Sequence, residues 1–309
     1  MIINWAQVFF NSAITGSLYL IGAVGLTLTY GLSRFPNFAH AEFITLGAFI
    51  GYLVAEQLGL GLLPSLVVSF LATGIVGILC YRGIFQPLAK RGATTIHLMV
   101  ASIALGIALR YAIPALGSII RDLFGPNWGW EGWRPLYFST TWSSFEIGPL
   151  RITGLWIWLI LTAISLAVLM HFILVRTKIG KAIRATSSNP ELALASGIHI
   201  DRVILVTWFV GAGLAAIAGI FRGADTQIWP MTGWSIVLPI FAVAILGGIG
   251  NFYGSIAAAF IIGLAENLGV VALITLGLST EYRIAIAFLI LIITLIVKPE
   301  GLAMLFRRA

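Results

Sequence analysis

The chain has 309 residues, of which 60% are apolar and only 9% charged, with a mean hydropathy of +1.03. A soluble domain is about 45–50% apolar and about 25% charged, so a soluble enzyme, a disordered chain and a nucleic-acid-binding domain are excluded as first readings. The net charge of +7 and the pI near 9.9 then ask for a topological explanation, because cytoplasmic loops of membrane proteins collect Lys and Arg.

The first residues, MIINWAQVFF, lack the basic region and cleavage site of a secretory signal. The first apolar stretch is therefore expected to stay in place as a membrane helix. About 20 apolar residues cross the hydrocarbon core, and lipid offers backbone groups no partners, so such runs must be helices. In chain order the spans are predicted at 7–31, 38–57, 62–81, 95–116, 154–175, 203–221, 235–249, 255–276 and 283–298. The fold class is an all-α polytopic membrane protein with eight or nine transmembrane helices, a single transmembrane domain over 1–309.

Three spans are irregular. The first is interrupted by Gly16, Gly22 and Gly25; the second opens on polar Asn37, His40 and Glu42; the seventh holds Pro239 and ends in Gly247, Gly248 and Gly250. Broken or re-entrant segments are expected near 32–42, where Pro36 cannot continue a helix, and near 247–254, where Gly254 completes the glycine run. The pairs Gly47/Gly51, Gly219/Gly223 and Gly250/Gly254 are spaced for close helix contact. Cys80 stands alone in an apolar run and reads as a small buried hydrophobe.

Alternating sides along nine spans sorts the basic residues unequally. One side holds Arg34, Arg82, Lys90, Arg91, Arg176, Lys178, Lys181, Arg184, Arg202, Lys298, Arg307 and Arg308; the other holds Arg121, Arg134, Arg151, Arg222 and Arg283. The richer side is cytoplasmic by the positive-inside rule, which puts the C-terminus inside. Arg110 lies within a span, and its side chain can reach outward along the helix end.

Two polar segments separate the spans. The outside loop 117–152 carries Trp128, Trp130, Trp133, Tyr137 and Trp142; these suit a membrane–water interface or a docking surface. The inside segment 176–202 contains a short capped helix. Ser188 or Asn189 serves as N-cap, Pro190 and Glu191 fit the first turn, Leu192, Leu194 and Ala195 give apolar contacts, and Gly197 suits a left-handed stop. Such a helix reads either as a grip for another protein or as a connector lying on head groups.

Three blocks carry a family resemblance: GLTLTYGLSRFPNFAHAEFITLGAF from Gly25 to Phe49, GKAIRATSSNPELALASGIHIDRV from Gly180 to Val203, and FAVAILGGIGNFYGSIAAAFIIGLAEN from Phe241 to Asn267. Each resembles the permeases of branched-chain amino acid ABC importers, the LivH/LivM family, and the chain is closer to the LivH half. Ala41 departs from the glycine usual there, and Asn251-Phe252-Tyr253 is less usual after the glycine run. The resemblance implies a cell-membrane subunit that pairs with a homologous LivM-like permease, two cytoplasmic ATPases and an external substrate-binding protein. It implies transport of Leu, Ile and Val, with urea, amides or other amino acids as alternatives within the family. It also makes Ser187, Ser188, Asn189, Pro190, Glu191, Leu192, Leu194 and Gly197 a coupling helix for the ATPase.

The residues agree with that division of labour. No phosphate-binding loop of the G-x-x-x-x-G-K-[ST] type occurs, so no cofactor is expected on this chain, and ATP and Mg belong to the partners. His40, His97, His171 and His199 are too scattered for a catalytic or metal cluster. Asn37, His40 and Glu42 either shape the translocation path or satisfy helix ends. Glu266, beside Asn267, either pairs with Arg110 or a partner subunit or lines the path. The rival class is an ion-coupled transporter or channel, which has no use for a capped helix at 187–197.

Overall fold

The structure is a computed structural model that describes residues 3–139, 142–297 and 301–302. Lys298, Arg307 and Arg308, and with them the expected side of the C-terminus, lie outside these residues. The elements in order are α1 (Trp5–Ser33), α2 (His40–Tyr52, prolonged by a π-turn to Gln57), α3 (Leu62–Cys80) running through Tyr81–Phe85 into α4 (Gln86–Lys90), and α5 (Thr95–Phe124). A hairpin of β1 (Ser144–Ile147) and β2 (Leu150–Thr153) follows, then α6 (Gly154–Arg176), α7 (Lys178–Ser188), α8 (Pro190–Ala195) and α9 (Ile200–Asp225). The chain continues with α10 (Trp234–Gly247), α11 (Phe252–Thr275) and α12 (Arg283–Val297).

Each predicted span holds a helix over most of its described residues. Among the described residues seven helices are long and apolar enough to cross a membrane: those at Trp5–Ser33, Leu62–Lys90, Thr95–Phe124, Gly154–Arg176, Ile200–Asp225, Phe252–Thr275 and Thr280–Val297. The remaining two predicted spans, α2 and α10, do something else: each begins inside the bundle. His40 at the start of α2 bonds to the Gly22 carbonyl, eleven residues and roughly 16 Å before the end of α1 at 1.5 Å per residue. Trp234 at the start of α10 lies against Arg110, halfway along the 30-residue α5.

The direction of the two short helices follows from their neighbours. Phe38, Glu42 and Phe49 meet Ser102, Arg110 and the Ile113 cluster in ascending order, so α2 runs parallel to α5. The far end of α10 packs Gly247 on Gly254 and Ser255, and Gly250 then meets Gly31 at the end of α1. So α2 runs toward the end of the bundle that carries the 117–152 loop, and α10 runs toward the end that carries the basic segments. The stretches before them, 34–39 and 226–233, turn back into the bundle from opposite ends.

Small residues make this crossing possible. A Cβ on Gly233 would collide with the Ala41 carbonyl, and one on Gly47 would collide with Ala216 of α9. The core is accordingly built from α1, α2, α9, α10 and α11, with Ala23, Ala41, Ala48, Ala215, Ala216 and Ala244 fully enclosed. The outer helices α5, α6 and α12 are mostly exposed, as expected where lipid or a second subunit covers them. The 117–152 segment is more structured than a plain loop: α5 extends to Phe124, Trp130 is buried against Phe49 with its N–H on the Ile113 carbonyl, and Leu136 pairs with Ile228. Trp130 is thus a core residue, whereas Trp133 and Tyr137 stay exposed.

Candidate translocation site and coupling end

The polar residues predicted inside the membrane separate into two clusters. The first lies where the starts of α2 and α10 meet. Its backbone follows from the break: Arg34 adopts a left-handed conformation with φ 56° and closes α1 onto Tyr30, and Pro36 lacks the N–H a helix needs. The Asn37 amide oxygen then accepts the Ala39 N–H at 3.1 Å, and the Ser102 hydroxyl accepts the Phe38 N–H at 3.0 Å. These contacts satisfy backbone groups freed by the break, which hydrocarbon could not do.

His40 and Glu42 point to different neighbours, as two residues apart on a helix must. The His40 Nε2–H donates to the Gly22 carbonyl at 3.0 Å, since a carbonyl only accepts. Glu42 is fully buried, and its Oε1 accepts from Arg110 Nε at 2.9 Å and Nη2 at 2.6 Å. Arg110 therefore does not reach for the helix end, nor does it meet Glu266. The other Glu42 oxygen and the Asn37 Nδ2 have no hydrogen-bond partner among the described residues. The Arg110 guanidinium also lies 4.8 Å over the Trp234 ring, and the Thr45 hydroxyl accepts the Gly233 N–H at 3.0 Å. One side chain of α5 thus holds α2 by charge and α10 by its ring. Glu42 sits in the first turn of α2, where an acid also meets the positive end of the helix dipole.

The second cluster ties α1 to α11. Glu266 is buried, and its Oε2 accepts the Tyr19 hydroxyl at 2.8 Å; its Oε1 has no hydrogen-bond partner among the described residues. Asn267 donates to Thr15 at 3.1 Å and to the Gly263 carbonyl at 2.8 Å, and Thr27 meets Ser255 at 3.1 Å. Of the alternatives for Glu266 (Arg110, a partner subunit or the path), the Arg110 pairing does not form; its direct bond is to Tyr19. No sequence signal pointed to Tyr19, Thr45 or Trp234, because helix depth is not written in local pattern.

At the basic end the short helix forms as read. Asn189, not Ser188, caps α8 by accepting the Leu192 N–H at 3.0 Å, Pro190 opens its first turn, and Gly197 stops it with φ 82°. Glu191 is exposed, as are Leu192 and Leu194, at 65% and 62%, while Ala193 is buried. The segment is not isolated from the bundle. Ser187 donates to the Gly31 carbonyl at 3.3 Å, and a Cβ on Gly31 would lie 2.9 Å from the Gly250 Cα. Gly248 and Gly250 take φ values of 89° and 79°, and Asn251 caps α11 through the Gly254 N–H at 2.9 Å. Here α7, the end of α1 and the glycine break touch at one point.

A cavity of about 340 Å³ opens at the other end, lined by Arg222, Thr226, Gln227, Trp229, Thr232 and Ser235. It follows the inward-turning stretch between α9 and α10. Beyond it, Glu131 pairs with Arg121 at 2.6 Å and with Arg134. The Arg134 hydrogen bond, with the Arg121 charge behind it, holds the Glu131 carboxyl below its ordinary range.

Comparison with known proteins fits this arrangement. The family described as "Branched-chain amino acid transport system / permease component" matches residues 8–295. The chain is 30% identical over 307 residues to the high-affinity branched-chain amino acid transport permease LivH of Escherichia coli K12, covering 96% of this chain and 94% of the relative. It is 29% identical to the probable LivH of Methanocaldococcus jannaschii, covering 94% of this chain and 90% of the relative. The ribose import permease RbsC of Escherichia coli K12 is a more distant relative at 24%, covering 94% of this chain and 85% of the relative. Among solved structures, the PsaBC–Fab complex from Streptococcus pneumoniae shares the fold with a TM-score of 0.50 at 16% identity, over 98% of this chain and 95% of the matched one.

Proposed function

This chain belongs to the family of branched-chain amino acid transport permeases, and on that premise we propose that it carries leucine, isoleucine and valine through the cell membrane as one subunit of an ABC importer. A second, LivM-like permease completes the path. An external binding protein delivers the substrate, and two ATPases on the basic side supply the energy with their own ATP and Mg. The basic end is cytoplasmic, by the charge asymmetry of the loops.

The observation that carries this reading is the Asn189-capped α8. Its Leu192 and Leu194 are exposed, and its neighbour Ser187 is bonded to Gly31 beside the Gly250 break. A push on α8 therefore reaches the end of α1 and the break before α11 directly. We assign Ser187 to Gly197 as the coupling element and Gly247, Gly248, Gly250 and Gly254 as the yielding points of that break. Asn37, His40 and Glu42 shape the gate, because they hold the inner ends of the two short helices. Arg110 is 15% exposed inside the bundle; a guanidinium edge there must face water or protein, not lipid, so it marks the path side of α5. Glu266 and Asn267 staple α1 to α11 beside it.

Replacing Glu191 and Leu194 together with arginine tests the coupling element. Both side chains are exposed, so insertion and the melting temperature stay as in the wild type while co-purification with the ATPases is lost. Retained ATPase binding overturns the assignment, and transport driven by an ion gradient without any ATPase overturns the function.

A further inference from the structure

We propose that the cavity at the end opposite α8 is a recognition site for the carboxylate of the incoming substrate, held by Arg222. The inference deepens the function proposed above and rests on it. Arg222 lies three residues before the end of α9 and lines the cavity. Its guanidinium makes no hydrogen bond or ion pair among the described residues, yet it is only partly exposed. Asp225 and Glu266 lie in its electrostatic surroundings without a direct bond to it: Asp225 accepts the Trp156 indole N–H at 2.8 Å, and Glu266 accepts the Tyr19 hydroxyl at 2.8 Å through Oε2, its Oε1 having no hydrogen-bond partner among the described residues. Arg283 adds a second positive charge nearby.

The hydroxyls of the lining and the Gln227 amide oxygen are taken up within the chain. Thr232 donates to the Trp229 carbonyl at 2.7 Å and accepts the Trp229 N–H at 2.9 Å, Ser235 donates to the Thr232 carbonyl at 2.7 Å, and the Gln227 amide oxygen accepts the Tyr137 hydroxyl at 2.9 Å. The cavity thus offers a cationic fork among hydroxyls that are already satisfied. A guanidinium fork matches a carboxylate in bidentate fashion, and about 340 Å³ lies in the range of small-molecule sites. Thr232 and Ser235 of the lining flank Trp234, whose ring carries Arg110, so the cavity adjoins in sequence the segment that holds the Glu42–Arg110 cluster. A lipid phosphate at the membrane surface has similar chemistry, and the experiment separates the two.

The assembled transporter in nanodiscs is treated with phenylglyoxal, and labelling of Arg222 is followed by peptide mass spectrometry. Millimolar leucine and 4-methylpentanoate, which keeps the carboxylate and drops the amine, slow labelling of Arg222 several-fold; leucinamide, without the carboxylate, does not. Labelling of Arg151 stays constant. Equal protection by leucinamide, no protection by leucine, or protection that follows only the anionic lipid content overturns the proposal. Independently, Arg222→Gln lowers leucine uptake about tenfold at saturating loaded binding protein, the scale of one charged hydrogen bond, and Arg222→Lys recovers part of it with ATPase binding intact. If wild-type transporter moves leucine and both variants match it, the Arg222 site fails alone. If wild-type transporter moves no branched-chain amino acid, the function proposed above fails instead.

Discussion

The two buried carboxylates sit in similar surroundings and are held differently. Glu266 is stapled by a neutral hydroxyl between α1 and α11, two helices that run the full depth of the bundle. Glu42 is held by a guanidinium that also carries Trp234, so three helices meet there and two of them start at the contact. A staple between continuous helices keeps a wall in place. A charge pair at the starts of two interrupted helices is a place where the wall can change, because the chain leaves the helix there, over 34–39 and 226–233. Each acid leaves one oxygen without a hydrogen-bond partner among the described residues, but only the Glu42 cluster has a partly exposed partner through which water or substrate can reach it.

The strongest way to break this contrast is at the charge pair. Glu42→Ala leaves Arg110 without its counter-ion inside the bundle, at a cost of about 3–5 kcal/mol. Arg110→Ala does the same to a fully buried carboxylate. The double variant Glu42→Ala/Arg110→Ala removes both charges and is expected to be more stable than either single one in thermal unfolding of purified protein. It nonetheless transports poorly, since no charge then ties α2 to α5. Additive losses in the double variant would mean that the two side chains do not act as a pair.

A milder change sharpens the other half. Glu266→Gln keeps an acceptor for the Tyr19 hydroxyl and loses only the charge assistance, a change of roughly 1 kcal/mol. The expected result is a small drop in melting temperature with transport close to wild type. Severe loss of transport at wild-type stability would move Glu266 from the wall to the path.

The unequal legibility of these clusters has a physical reason. Lipid imposes one rule on every span, so the helices from Trp5 to Val297 announce themselves by length and apolarity. The breaks announce themselves too, through Pro36 and through Gly248 and Gly250. The capped segment at 187–197 is local: cap chemistry alone places Pro190 and Gly197 and narrows the N-cap to Ser188 or Asn189, of which the structure has Asn189. Partnership across helices is another matter. Glu42 and Arg110 are 68 positions apart, and Tyr19 and Glu266 are 247 apart. Which residues meet depends on the depth at which each helix starts, and the inward turns at 34–39 and 226–233 shift that depth for α2 and α10. The sequence pattern marks where those turns fall but not how far they penetrate. Trp130 was misread for the same reason: a Trp in a polar stretch looks interfacial until Phe49 and Ile113 are seen to enclose it.

The exposed carboxylate Glu131 supplies the control for both buried ones. Arg134 and Arg121 hold its carboxyl below the ordinary range, so its pairing contributes stability at neutral pH that is lost as pH falls through that lowered value. Glu131 and Arg134 sit in solvent, where salt screens the interaction and exposed pairs contribute little. Acidification below about pH 4, the ordinary carboxylate range, is therefore expected to speed hydrogen exchange around 126–134 without lowering transport after return to neutral pH. Added salt at neutral pH should reproduce part of the change. The Glu42–Arg110 pair, its carboxylate fully buried and its guanidinium only 15% exposed, should leave exchange in α2 and at the start of α10 far less sensitive to the same salt. A salt response of equal size at both places would mean that the inner ends of α2 and α10 are as open to water as the loop, and the distinction between a buried pair and a surface pair would be lost.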